Sequence, residues 1–154
     1  MPVKRLKDFL DGNGVKYVAI THSPAFTAQE IAQSTHIRGQ DLAKTVIVKI
    51  DGTMAMAVLP ASQKVDLELL RQAAGAKKVE LAREAEFAER FPGCEPGAMP
   101  PFGNLYGVEV YVADALTTDE HIAFNAGTHT ELIRTAYEDF DRLVRPKVVK
   151  LSYA

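Results

Sequence analysis

At 154 residues the chain is long enough for one domain, residues 1–154, with a proper core. Its 47% hydrophobic and 25% charged content is ordinary for a soluble globular protein, and no apolar run reaches the length of a membrane span. A formal net charge of −2 argues against extended DNA binding, which needs a basic surface, but permits a local contact with a nucleic-acid end.

In chain order, Pro2 to Asp11 reads as a helix with Val3, Leu6, Phe9 and Leu10 on one face, stopped by Gly12-Asn13-Gly14. The opening Met1-Pro2-Val3-Lys4-Arg5-Leu6 lacks the apolar stretch of a signal peptide, so cytoplasm is the expected compartment. Val15 to Thr21 reads as a strand, and Thr27-Ala28-Gln29-Glu30 as a capping box opening a short helix. Asp41 to Ile50 is rich in β-branched residues and ends at an Asp51-Gly52 turn, which pairs it with Thr53 to Leu59. Val65 to Ala74 reads as a helix closed by Gly75, Lys77 to Leu81 as a strand, and Glu84 to Arg90 as a helix that Pro92 ends. Gly93 to Gly107 is a long loop. Val108 to Ala113, His121 to Asn125 and Thr130 to Ala136 read as strands, and Tyr137 to Val144 as a last helix before Pro146. Strands and helices mix without regular βαβ alternation. The expected fold is α+β (mixed α/β): a compact, barrel-like mixed sheet flanked by helices.

Three segments can carry chemistry. Along the strand, Val46, Val48 and Ile50 share one face and Lys44 is in phase with them, while Lys49 points to the other face and can reach water. A lysine on a core face is costly unless something polar or anionic meets it, or unless it snorkels out at the strand end. Pro96-Gly97-Ala98-Met99-Pro100-Pro101-Phe102-Gly103 is stiff and can hold unusual backbone angles. Pro100 and Pro101 carry no N–H, so donors would come from Gly97, Ala98, Met99, Phe102 or Gly103. The bland reading is a surface crossover, although long loops in compact domains are often functional. In Phe124-Asn125-Ala126-Gly127-Thr128-His129-Thr130 a strand ends at a glycine turn beside a histidine. His129 and His22 are candidates by their near-neutral titration, whereas His36 and His121 have no supporting context. Cys94 is the single cysteine, so an internal disulfide and a cysteine metal cluster are excluded, and nothing has zinc-site spacing. No Gly-x-Ser-x-Gly elbow and no phosphate-binding glycine fingerprint occur.

His22-x-Pro24, the Lys44-Thr45-Val46-Ile47-Val48 strand, Gly97-x-x-x-Pro101-x-Gly103 and the Asn125-Ala126-Gly127 turn follow one another in an order that resembles the YbaK/prolyl-tRNA synthetase-associated editing domain family, from about residue 15 to 145. The resemblance implies a trans-editing aminoacyl-tRNA deacylase, a hydrolase of the carboxylic ester in mischarged tRNA. Its substrate would be proline tRNA carrying alanine or another small amino acid. Lys44 and His129 would be catalytic. His22, Phe26, Gly97, Ala98, Met99, Pro100, Pro101, Phe102, Gly103, Asn125, Gly127 and Thr128 would bind substrate. The implied partners are the acceptor end of mischarged tRNA and an aminoacyl-tRNA synthetase; no metal, cofactor or membrane is expected. The cysteine-directed branch carries two lysines after the loop, where this chain has Asn104 and Leu105. The loop and His129 look more like the branch that removes alanine or another small residue.

An aminoacyl ester is already reactive, so the enzyme mainly positions water and stabilises the oxyanion. Lys44 would anchor a phosphate or the carbonyl region, loop N–H groups would face the oxyanion, and His129 and Thr128 would orient substrate. Met99, Pro100 and Phe26 would exclude large side chains. Arg142, Arg145, Lys147 and Lys150 form the best basic cluster for the tRNA body, although the ordinary reading of such surface charge is a solvated face. The alternative is a noncatalytic aminoacyl-tRNA- or nucleotide-binding module, or a synthetase adaptor.

Overall fold

A computed structural model describes residues 2–22, 37 and 40–153. Phe26, the capping box at Thr27 to Glu30 and His36 lie outside them. Helix α1 (Pro2–Gly12) turns Leu6 and Leu10 wholly into the core, with Val3 and Phe9 packed beside them. Its end is fixed by Asn13, whose side-chain amide donates to the Phe9 carbonyl at 2.7 Å. Strands β1 (Tyr17–Thr21), β2 (Leu42–Ile50) and β3 (Thr53–Pro60) follow. Asp51 and Gly52 sit at φ +50° and +85°, the left-handed pair a two-residue hairpin requires. The Asp51 carboxylate also accepts from the backbone N–H groups of Lys77 and Lys78, both at 2.9 Å, tying the hairpin to the next strand.

Where a helix was expected from Val65, the chain first forms a short strand, β4 (Lys64–Val65). Helix α2 (Leu67–Ala74) then starts at Asp66, whose carboxylate caps the Leu69 N–H at 3.0 Å. Gly75 at φ +65° closes it, as the sequence indicated. After β5 (Val79–Leu81) and α3 (Glu84–Phe87), which a 3-10 turn at Ala88–Arg90 extends, the long loop runs to β6 (Glu109–Ala113) through a second 3-10 turn at Gly103–Leu105. Strands β7 (His121–Asn125) and β8 (Glu131–Ala136) and helix α4 (Tyr137–Val144) match their predicted ranges to within a residue. Beyond Pro146 the chain is not a charged tail: it forms β9 (Lys147–Val149) and β10 (Ser152–Tyr153).

Seven strands form one mixed sheet in the order β1-β8-β7-β2-β3-β6-β9, with β5 added to β2. The expected mixed α/β fold is present. One edge of β2 serves two partners: β7 runs parallel to its first residues and β5 antiparallel to its last. The sheet therefore forks beside β2. The small pair β4–β10 and helix α2 cover one face, where Leu70 of α2 joins Val48 and Leu59 of the sheet. Helices α1 and α4 share the other face with an aromatic cluster centred on Phe102, whose ring lies 6.1 Å from Phe9, 5.4 Å from Phe124 and 5.6 Å from Phe140.

Candidate functional site

Both faces of β2 are covered. Val46, Val48 and Ile50 pack on the α2 side, as their spacing predicted, while Ala43 and Ile47 belong to the aromatic side. Lys49 does not simply reach water: its ammonium lies 3.2 Å from Glu80 and is paired with Glu86. These carboxylates raise its pKa, the hydrogen bond to Glu86 contributing most. Lys44, five residues earlier, is half-buried opposite Leu59 and has no ion pair or hydrogen bond among the described residues. Desolvation lowers its pKa, and the like charge of Lys64 lowers it further.

Register supplies its neighbours. Leu42 pairs with Ala123 and Ala43 with Phe124 in the parallel β2–β7 ladder. The next residues, Lys44 and Asn125, therefore fall on the same sheet face, on strands about 4.8 Å apart. The Asn125 side-chain oxygen is buried and lacks a hydrogen-bond partner among the described residues. Ile20 of β1 and Asn125 of β7 both pair with Leu132 of β8, so Ile20 and His22 share this face as well. His22 is held by its backbone N–H, which donates to the Thr130 carbonyl at 2.8 Å. Lys44 and Asn125 are thus neighbours on this face, and His22 lies toward the same end, two strands beyond Asn125.

The loop and the glycine turn close that end. Gly127, at φ +104°, donates its N–H to the Ala98 carbonyl at 2.9 Å and accepts from the Glu95 N–H at 2.8 Å. His129 donates its backbone N–H to the Glu95 carboxylate at 3.0 Å, and its Nε2 lies 2.7 Å from the Pro96 carbonyl. A carbonyl oxygen only accepts, so Nε2 carries the proton. His129 is 8% exposed, and this bond commits its ring to the loop. The geometry makes it a strut for the 95–98 segment. Thr128 hydrogen-bonds Thr130 at 3.2 Å within the same turn.

The loop is not one continuous wall. Glu95, Pro96 and Gly97 are exposed, whereas Ala98 to Gly103 are buried. Met99 is 4% exposed and Phe102 fully covered, so both anchor the loop from the core side. Phe102 has no exposed surface in this arrangement. Gly103 is required by close packing, since a Cβ there would stand 2.5 Å from the Val108 carbonyl. The Ala98 N–H is used on the Glu95 carbonyl, while those of Gly97 and Met99 make no backbone hydrogen bond among the described residues. Glu95, which clamps both Gly127 and His129, escaped the sequence reading; a charged loop residue carries no signal of its partner.

Other candidates lie elsewhere. Cys94 has its thiol 3.6 Å from the Tyr106 hydroxyl, and burial pushes its pKa up, so it is no activated nucleophile. The basic C-terminal residues are partly neutralised: Arg142 pairs with Asp139 at 3.2 Å and Lys147 with Glu109 at 3.4 Å. Strand β9 is the far edge of the sheet from β1. No group of three or more potential metal ligands is present among the described residues, and no described helix is long and apolar enough to cross a membrane.

Comparison with known proteins covers this site from end to end. Residues 22–143 match the aminoacyl-tRNA editing domain family. The chain is 25% identical over 142 residues to the prolyl-tRNA editing protein ProX of Acetoanaerobium sticklandii, covering 88% of this chain and 86% of that one. In structure it is similar to a proposed trans-editing enzyme for prolyl-tRNA synthetase, with a TM-score of 0.84 at 20% identity over 99% of this chain and 98% of that one. It is also similar to a hypothetical protein of known structure, with a TM-score of 0.87 at 19% identity over 97% and 99% of the two chains. With more than half of its length matched, and with Lys44, the loop and the glycine turn all inside the match, the chain belongs to the aminoacyl-tRNA editing domain family.

Proposed function

We propose that this protein acts in trans as an aminoacyl-tRNA deacylase in the cytoplasm, hydrolysing the ester of proline tRNA mischarged with alanine or another small amino acid. The observation that carries the reading is the family match over residues 22–143, which spans every candidate from His22 to Thr130. The prolyl-tRNA editing relative is consistent with proline tRNA as the carrier.

In this reading Lys44 supplies the positive charge. A cation that is half-buried and unneutralised favours an anion, here the oxygen that gains charge as water attacks the ester carbonyl. The Gly97 and Met99 N–H groups are the loop donors left for that oxygen, and the Asn125 amide holds the ester in register with Lys44. His129 acts as a positioning residue through Pro96. Water adds to the carbonyl carbon, the bond to the ribose oxygen breaks, and that oxygen leaves with a proton, releasing free amino acid and uncharged tRNA. The neighbouring ribose hydroxyl can relay the proton.

A panel of alanyl-, seryl-, cysteinyl- and prolyl-tRNA, incubated with wild type and Lys44→Ala, tests this. Release of a small amino acid from proline tRNA by wild type alone is the expected result. Tight binding with no release would leave the noncatalytic module as the function.

A further inference from the structure

A hollow of about 440 Å³ lies where β7 begins, β8 ends and α4 starts. His121, on its wall, stands four residues before Asn125 on β7, about 13 Å along the strand, so the hollow is well apart from Lys44. Ala136 and Tyr137 supply its apolar part, and Glu120, Glu138 and Asp141 its charge, with Asp119 a fourth carboxylate. The Tyr137 N–H donates to the Glu120 carbonyl at 3.0 Å, which ties the strand side of the hollow to the helix side.

Elsewhere carboxylates are matched by cations: Asp8 by Lys4, Glu131 by Lys7, Glu68 by Arg71 and Asp139 by Arg142. Glu120, Glu138 and Asp141 make no ion pair and no side-chain hydrogen bond among the described residues. Glu138, in the first turn of α4, is met by the helix dipole; Asp141, a turn later, is not. Acidic side chains alone attract only solvent cations, but Tyr137 adds an independent observation. It is 8% exposed, and its hydroxyl has no hydrogen-bond partner among the described residues. Buried hydroxyls are nearly always bonded, because an unmade bond is costly. Burial pushes the Tyr137 pKa up to about 12, and the charge of Asp141 adds to the rise. The hydroxyl therefore stays protonated and lies within the field of the carboxylate that lines the hollow beside it. Its oxygen can accept one further hydrogen bond.

A metal ion does not suit this lining, since no three potential ligands come together among the described residues. Spread carboxylates around an apolar strip suit a ligand with several cationic centres joined by methylenes. The volume lies within the range of pockets that enclose a whole small ligand.

We infer that this hollow is a binding site for an aliphatic di- or polyamine, whose ammonium groups are held by Glu120, Glu138 and Asp141 while one of them also donates to the Tyr137 hydroxyl. Its methylenes lie along Ala136 and the Tyr137 ring. The charge-assisted hydrogen bonds give the site its strength, and the spacing of the carboxylates favours two or more ammonium groups over one. The site is separate from the place proposed for the ester, and the inference holds whether or not the protein deacylates tRNA.

Titration of the isotope-labelled protein with spermidine, propylamine, argininamide and magnesium chloride at constant ionic strength, followed by amide NMR, tests it without any turnover. The expected result is saturable spermidine-dependent shifts at the amides of His121, Tyr137 and Glu138, at least tenfold weaker binding of propylamine, and no shift at these amides with magnesium. Glu120→Gln combined with Asp141→Asn, both at exposed positions, should weaken spermidine at least tenfold with the fold intact. Tyr137→Phe should weaken it several-fold with Tm unchanged or raised, because the hydroxyl it removes bonds to nothing in the protein. Shifts that magnesium reproduces would reduce the hollow to diffuse attraction and overturn the site. Tighter binding of argininamide than of spermidine would overturn the amine assignment. Unchanged spermidine affinity in Tyr137→Phe, with a lowered Tm, would show that the hydroxyl serves the fold and not a ligand.

Discussion

Strand β2 carries two lysines five residues apart, and the fold treats them in opposite ways. Lys49 is met by Glu80 and Glu86, and its pKa is raised. Lys44 is taken partly out of water, given Lys64 as its charged neighbour, and its pKa is lowered. The first arrangement is complete within the protein. The second is incomplete until an anion arrives, and an unneutralised buried charge is the kind of feature a fold retains for use. The contrast separates a lysine whose charge is met within the protein from one whose charge is not.

The sharpest way to break this contrast is to delete each charge in turn. Lys44→Ala should reduce deacylation by at least about 100-fold, the effect of losing one group that stabilises a developing oxyanion, with Tm unchanged or slightly raised. Lys49→Ala should leave deacylation intact and lower Tm. If the two variants behaved alike in both assays, the division of roles would be wrong.

Asn125→Asp makes the Lys44 end resemble the Lys49 end by setting a carboxylate beside the ammonium. Deacylation should fall by roughly tenfold, equivalent to about 1.4 kcal/mol, and the Lys44 pKa should rise. Steady-state kinetics and a lysine side-chain titration read the two effects, and a faster enzyme would refute the idea that Lys44 must stay unneutralised.

Gly97→Val addresses the glycine–proline loop. Gly97 sits at φ +81°, and an added Cβ would meet the His129 ring at 3.7 Å, an ordinary contact. The Cβ itself therefore costs backbone strain of about 1–2 kcal/mol, and the two valine methyls add bulk beside the His129 ring. Activity should drop several-fold while tRNA affinity holds, measured by comparing kcat/KM with Kd. Equal losses in both would show that the loop binds the tRNA body.

The smallest effect is a titration order. Lys44 should lose its proton below the usual lysine value of 10.5 and Lys49 above it. The unfolded chain binds more protons than the folded one between the lowered Lys44 value and 10.5, so stability from Lys44 rises with pH across that window. Stability from Lys49 is present below 10.5 and is lost as pH climbs through its raised value. Side-chain NMR of the two lysines in one sample gives the order, and a reversed order would contradict the assignment of surroundings.

Much of this was legible in the residues. Period-two alternation put Lys44 in phase with Val46 and Val48, and the Asp51-Gly52 pair announced its hairpin. The order of the lysine strand, glycine–proline loop and Asn125-Ala126-Gly127 turn led to the family. What escaped depends on long-range pairing. Lys147 to Val149 and Ser152 to Tyr153 are too short for periodicity to reveal, and become strands only because β6 and β4 offer them an edge. The same is true of Glu95, whose part is set by residues more than thirty positions away. Met99 and Phe102 look like pocket residues in a loop, and only the aromatic cluster beneath them shows that they are anchors.

The pairing of β1 with β8 joins Tyr17 to Thr135 and Thr21 to Glu131. It sets an order of events as the chain folds. Strand β1 is among the first segments made, yet its place in the sheet does not exist until β8 has been synthesised and has paired with β7. Contacts between such distant parts form slowly, because a long loop must close before they reward it. His22 is therefore the last member of the site to arrive, although it is the first in sequence. A chain stalled before residue 131 holds Lys44 and the glycine–proline loop but not the completed face.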